Sequence, residues 1–228
     1  MDSVVQNSAS AAIAVIWMTT IGFIVYRYRG PFIARKLAKN ADIRSQRLVG
    51  AALLGVLPAI IMVLKYELPL LEYGLGLPRF VSNKAWAGGV LIIAVPLIYR
   101  QAQKATYWKH YPELKLESWN RKTQVSNALS WSIYLLAYEF LFRGLLLMSL
   151  DAWLGTWPAV SIMAAMYVLA HVDKSQEETF GSLAMSIIFA FAALGTESIW
   201  LPWIMHSIIA IASDTFAVRA NPKIRCVL

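Results

Sequence analysis

Seven stretches of this chain, about residues 10–26, 48–65, 85–100, 125–150, 157–172, 180–195 and 199–217, are apolar over near-membrane-spanning lengths. A helix needs roughly 17–25 such residues to cross a bilayer. Inside hydrocarbon a backbone must satisfy its own hydrogen bonds, so these runs are expected to be helical. The chain is 58% hydrophobic, above the roughly 45–50% of soluble domains. The third, fifth and sixth runs are short, which predicts tilt or partial spanning there. The expected fold is all-α: a multi-pass transmembrane helical bundle of about seven spans.

A net charge of +8 raises the question of nucleic acid, and the distribution of the charge answers it. Seventeen Lys and Arg fall in alternate connections: 27–47, 100–122, Lys174 and the tail beyond 218. The other connections hold only Lys65, Arg79 and Lys84, and Arg143 lies in a span. That asymmetry is the positive-inside pattern. It predicts an N-terminus outside and a C-terminus in the cytoplasm, with the basic loops touching anionic lipid. Nucleic acid is not expected as a partner.

The first run follows MDSVVQNS rather than a basic segment, so it is expected to be a retained anchor and not a cleaved signal. Cys226 is the sole cysteine, which excludes a disulfide within one chain, and in RCVL it is third from the end, not in a prenylation box. The loop 66–83 is rich in Gly and Pro and is expected at the outer interface. Residues 1–100 form three leading spans without a usable motif, and 101–124 a basic cytoplasmic loop. The core is 125–217, and 218–228 is a basic cytoplasmic tail.

The stretch AYEFLFRGLL (137–146) places Glu139 and Arg143 inside a span. Each costs about 2.5–3.5 kcal/mol at a bilayer centre on insertion scales. Four apart, they share a helix face and can pair. A buried ion pair can do no more than pin two helices together. His171, His206 and Asp214 in the later spans add further polar groups, whereas the first three spans read as apolar packing. A carboxylate and two imidazoles fit three chemistries. They can activate water and stabilise an oxyanion, bind zinc, or relay protons. No HExxH is present, so spacing does not support zinc, and no cofactor is expected. Counted along straight helices at 1.5 Å per residue, Glu139, His206 and His171 lie roughly 16, 10 and 20 Å from the outer surface.

YEFLFRG (138–144), YVLAH (167–171) and GTESIWLPWIMHS (195–207) resemble three motifs of the CAAX protease and bacteriocin-processing family, also called CPBP or Abi. Its motifs run EExxxR, FxxxH, then HxxxN or HxxxD. The resemblance covers about residues 120–217 and implies a family-like core in the last four spans. It also implies an intramembrane glutamate protease cutting a membrane-associated or prenylated protein or peptide, in a bacterial plasma membrane. The family's second glutamate and arginine fall on Glu139 and Arg143, and its histidines on His171 and His206. Tyr167 stands where phenylalanine is usual, Tyr138 at the first glutamate and Ala210 at the last polar position.

On this reading Glu139, helped by His171, activates water, His206 stabilises the oxyanion and Arg143 orients Glu139. Tyr138 could contribute a phenol hydroxyl, and Ser207 and Ser213 could hydrogen-bond a water or carbonyl. The alternative is a catalytically inactive relative serving as an immunity factor or scaffold.

Overall fold

The computed structural model describes residues 2–38, 40–79, 85–172 and 174–227. Lys39 and Lys84 of the charge count, and residues 80–83 of the 66–83 loop, lie outside the described residues. All seven apolar runs are helical. Helix α1 is Asp2–Leu37; α2 (Ile43–Ala51) continues through a π-helical turn, Ala52–Val56, into α3 (Leu57–Tyr66). Helix α4 is Ala85–Ala102. Helix α5 (Arg121–Glu139) runs through a π-helical segment, Phe140–Leu147, into α6 (Met148–Leu154). Helices α7 (Thr156–Leu169), α8 (Gln176–Thr196) and α9 (Trp200–Ala220) follow.

Five helical stretches are long and apolar enough to cross a membrane, while α4 and α7 are shorter. The sixth run, expected to be short, is a full 21-residue helix, α8. It extends past its apolar stretch because Ser175 caps its start, accepting from Glu178 N at 3.2 Å. Glu177 and Glu178 then sit in its first turn, where negative charge suits the helix dipole. Asn120 caps α5 in the same way, accepting from Thr123 N at 2.8 Å. Asp42 caps α2.

The span Arg121–Leu154 is the pillar of the bundle. In its apolar window 78% of residues are buried, against 22% for the first span. All eight residues of Phe140–Leu147 are buried. Helix α5 packs on α2 and α9, α6 on α1 and α7, α7 on α8, and α4 on α9.

The loop after α3 is not a loose surface segment. Gly74, at φ 91°, accepts from Ile199 N at 2.9 Å. Gly76 O accepts from Ser198 Oγ at 3.0 Å and Trp200 Nε1 at 3.1 Å. The loop is thereby clasped to the α8–α9 turn. It lies so close to the pillar that a Cβ on Gly144 would stand 2.5 Å from Tyr73 O. Only glycine allows that approach.

The basic loop 101–124 is built into the fold. Leu114 and Trp119 are buried with Val218 of α9. Strand β1 (Ser118–Asn120) pairs in parallel with β2 (Arg225–Val227) of the tail.

The leading spans are not purely apolar packing either, because Arg47 on α2 is 1% exposed. It donates to Asn127 Oδ1 at 2.8 Å, Ser130 Oγ at 3.0 Å and Glu113 Oε2 at 3.0 Å, and lies 3.7 Å from Asp214 Oδ2. Its guanidinium stacks 3.7 Å over the Trp131 ring. Asp214 accepts in turn from Glu113 N, Asn127 Nδ2 and Trp131 Nε1 at 2.7–2.9 Å. One buried network therefore ties α2, the basic loop, α5 and α9. Removing a single partner would strand the others, the costly way to break a buried pair.

Candidate active site

Glu139 ends α5, and Arg143 lies one turn on in the π-helical segment; both are fully buried. Arg143 Nη1 donates to Glu139 Oε1 at 3.3 Å and lies 3.2 Å from Oε2, the latter an ion-pair contact without hydrogen-bond alignment. The Arg143 guanidinium also lies 4.2 Å over the Tyr167 ring. From α9, His206 Nδ1 meets the same Glu139 Oε1 at 2.6 Å. A ring nitrogen against a carboxylate oxygen carries the proton, which leaves Nε2 for other work.

The spread of depths expected from straight helices does not arise. His206 meets Glu139 directly, His171 lies beside Tyr138, and helix α6 runs on to Leu154 rather than ending at Leu150.

A cavity of about 940 Å³ opens beside this triad. His206, His171, Tyr138 and Tyr167 face it, while Glu139 and Arg143 are not among its described walls. His171 Nδ1 donates to Tyr167 O at 2.8 Å, because only an N–H can bond a carbonyl oxygen; the neutral ring keeps its lone pair on Nε2. The His171 ring stacks on Tyr167 at 4.5 Å. The Tyr138 ring stands nearly perpendicular to both imidazoles, with centroids 6.2 Å from His171 and 5.8 Å from His206. Apolar side chains that line the cavity include Phe23, Ile93, Leu97, Met185, Ile188 and Phe189. Two imidazoles with available nitrogens on one cavity can move a proton and hold a developing negative charge.

The remaining expected residues divide. Ser213 lines the cavity, but its hydroxyl donates to Ile209 O at 2.9 Å within its own helix. Ser207 is buried away from the cavity's described walls. Ala210 packs against Trp131 and Leu135. Asp214 belongs to the Arg47 network and not to the histidines. Among the described residues no three His, Cys, Asp or Glu side chains come close enough to share a metal ion.

Sequence reasoning missed Arg47, Glu113 and Lys174, which line the same cavity. Lys174 Nζ contacts Glu113 Oε1, and Lys174 N donates to His171 O at 3.0 Å. This ion pair therefore steadies the turn that carries His171. Burial opposes charge on Glu113, but Lys174 and Arg47 outweigh it and hold the carboxyl below its ordinary value. Burial likewise opposes charge on Lys174, and Glu113 overcomes it and raises the ammonium above its ordinary value.

With that geometry in hand, the comparison with known families is decisive for the core. Residues 125–212 match the model of the type II CAAX prenyl endopeptidase Rce1-like family. This segment is similar to the Rce1-like domain. The match bears out the family resemblance read from the three motifs and the expectation of an all-α integral membrane protein of the intramembrane protease kind. None of the curated proteins and none of the solved structures compared matches the chain. The Rce1-like segment contains Glu139, Arg143, His171 and His206, and with them the triad and the wall of the cavity that carries both imidazoles.

Proposed function

We propose that the chain is an intramembrane endopeptidase that hydrolyses a peptide bond in a membrane-associated, lipid-bearing protein or peptide. The observation that carries this reading is the pair of imidazoles on one cavity, with His206 braced from behind by Glu139 and Arg143. His171 Nε2 takes a proton from water as the water attacks the scissile carbonyl. His206, held at Nδ1 by Glu139, donates from Nε2 to the oxygen that becomes negative. Glu139, expected from the motif to act on water itself, serves here through His206, because its oxygens are engaged by Arg143 and His206. The chamber suits a lipid chain, and the basic loops on the cytoplasmic side hold anionic lipid in a bacterial plasma membrane.

The test uses purified protein in proteoliposomes with a fluorogenic peptide whose cysteine, fourth from its end, is farnesylated, beside its unfarnesylated twin. The farnesylated peptide should be cut and its twin spared. No cleavage of either would remove the reading, and equal cleavage of both would remove its lipid requirement.

A further inference from the structure

We propose that Tyr138 is a catalytic residue whose hydroxyl donates a hydrogen bond to the scissile carbonyl oxygen beside His206. The inference deepens the endopeptidase reading and rests on it. Tyr138 is 4% exposed, and its hydroxyl is buried with no hydrogen-bond partner among the described residues. An unsatisfied buried hydroxyl costs about 1–3 kcal/mol. Several buried hydroxyls of this core find partners: Ser130 donates to Asn127 O, Ser186 to Leu183 O and Thr196 to Ala192 O, each at 2.7–2.8 Å, whereas Ser207 Oγ, away from the cavity walls, has none among the described residues. Tyr138 differs from Ser207 in that it lines the cavity, beside both imidazoles.

The position is fixed by packing. The ring lies among Phe23, Tyr134, Phe142, Tyr167, His171 and His206, with centroids 4.7–6.2 Å away. Six aromatic neighbours hold it without satisfying its oxygen. That arrangement is costly for packing alone, and a phenylalanine would fill the same space without the penalty. A donor set in advance beside two imidazoles is what a developing oxyanion requires.

The step balances. Water loses a proton to His171 Nε2 as its oxygen bonds to the carbonyl carbon, and the carbonyl π pair moves onto oxygen. That oxygen accepts from His206 Nε2–H and from the Tyr138 O–H, neither of which gives up its proton. Collapse restores the C=O and breaks the C–N bond, and His171 returns the proton to the departing nitrogen. An amide and a water become an acid and an amine.

Tyr138→Phe deletes only the oxygen. On the farnesylated fluorogenic peptide, kcat should fall on the order of 10²-fold, the loss usual for one such donor, with KM nearly unchanged. The unfolding temperature in detergent should stay level or rise, since an orphan hydroxyl is removed. Unchanged kcat, a change in KM alone, or a lower unfolding temperature would each overturn the assignment. His206→Ala, run alongside, separates the two readings. Wild-type cleavage that depends on His206 but not on the Tyr138 oxygen sinks this inference alone, whereas cleavage independent of His206 sinks both.

Discussion

His206 Nδ1 lies 2.6 Å from Glu139 Oε1, so a ring on α9 is aimed by a carboxylate on α5. Arg143 closes the arrangement from one turn beyond Glu139. The carboxylate is thus shared between a guanidinium and an imidazole, and neither charge is left alone in an apolar interior.

Removing Arg143 should therefore damage folding before it damages chemistry. Arg143→Ala leaves Glu139 buried with only His206 beside it, a loss of about 3–5 kcal/mol for breaking such a pair. Accumulation in the membrane should drop, and Glu139→Gln in the same chain should restore part of it. Normal expression of the single variant would show that the contact contributes little.

The Glu113–Lys174 pair should give stability a defined pH window. The Glu113 carboxyl is held below its ordinary 4.5, so its contribution is present above that value and lost as pH falls through the depressed value. Lys174 is raised above its ordinary 10.5, so its contribution is full below that value and lost as pH rises further. Thermal unfolding across pH should fall off on both sides, and Lys174→Met should flatten both limbs. An unchanged acid limb in that variant would separate Glu113 from Lys174.

Hydropathy placed the helices because each apolar run obeys a constraint local to itself, and the four-residue spacing of Glu139 and Arg143 announced their contact. The partners of Arg47 were not legible. Glu113, Asn127, Ser130 and Asp214 come from three other parts of the chain, and a charge at the end of a basic loop looks solvated. Nor did spacing show that Glu139 turns behind His206 while Tyr138 faces the cavity. That depends on how α5 enters the π-helical segment and on where α9 crosses it, both set by packing. The sequence also placed Ser213 near the His206 face without revealing that its hydroxyl bonds Ile209.

The fit of the Gly74 loop against the pillar can be tested at Gly144. A methyl there meets Tyr73 O at 2.5 Å and the Phe140 ring at 2.9 Å. Gly144→Ala should destabilise by about 1–3 kcal/mol, the range for overpacking. Gly88→Ala, where an added Cβ meets nothing within 4 Å, is the control and should be close to neutral. Equal unfolding midpoints for the two variants would mean that the loop yields freely.

The orientation expected from the lopsided cations can be tested with thiols. Cys226 is exposed in the basic tail. It should resist an impermeant maleimide in intact cells and react after lysis. In a Cys226→Ser background, Leu77→Cys, at an 89% exposed position on the opposite loop, should react without lysis. The reverse pattern would invert the topology.

The central claim is that His171 and His206 carry out hydrolysis together, and their single and double alanine variants test it most directly. With the farnesylated peptide in proteoliposomes, each single change should lower kcat on the order of 10²–10³-fold. The double variant should lose little more than the worse single one, because residues that act as a unit are not additive. Both side chains border the cavity, so the proteins should remain folded and monodisperse. A folded double variant that cuts the peptide at the wild-type rate would contradict the account.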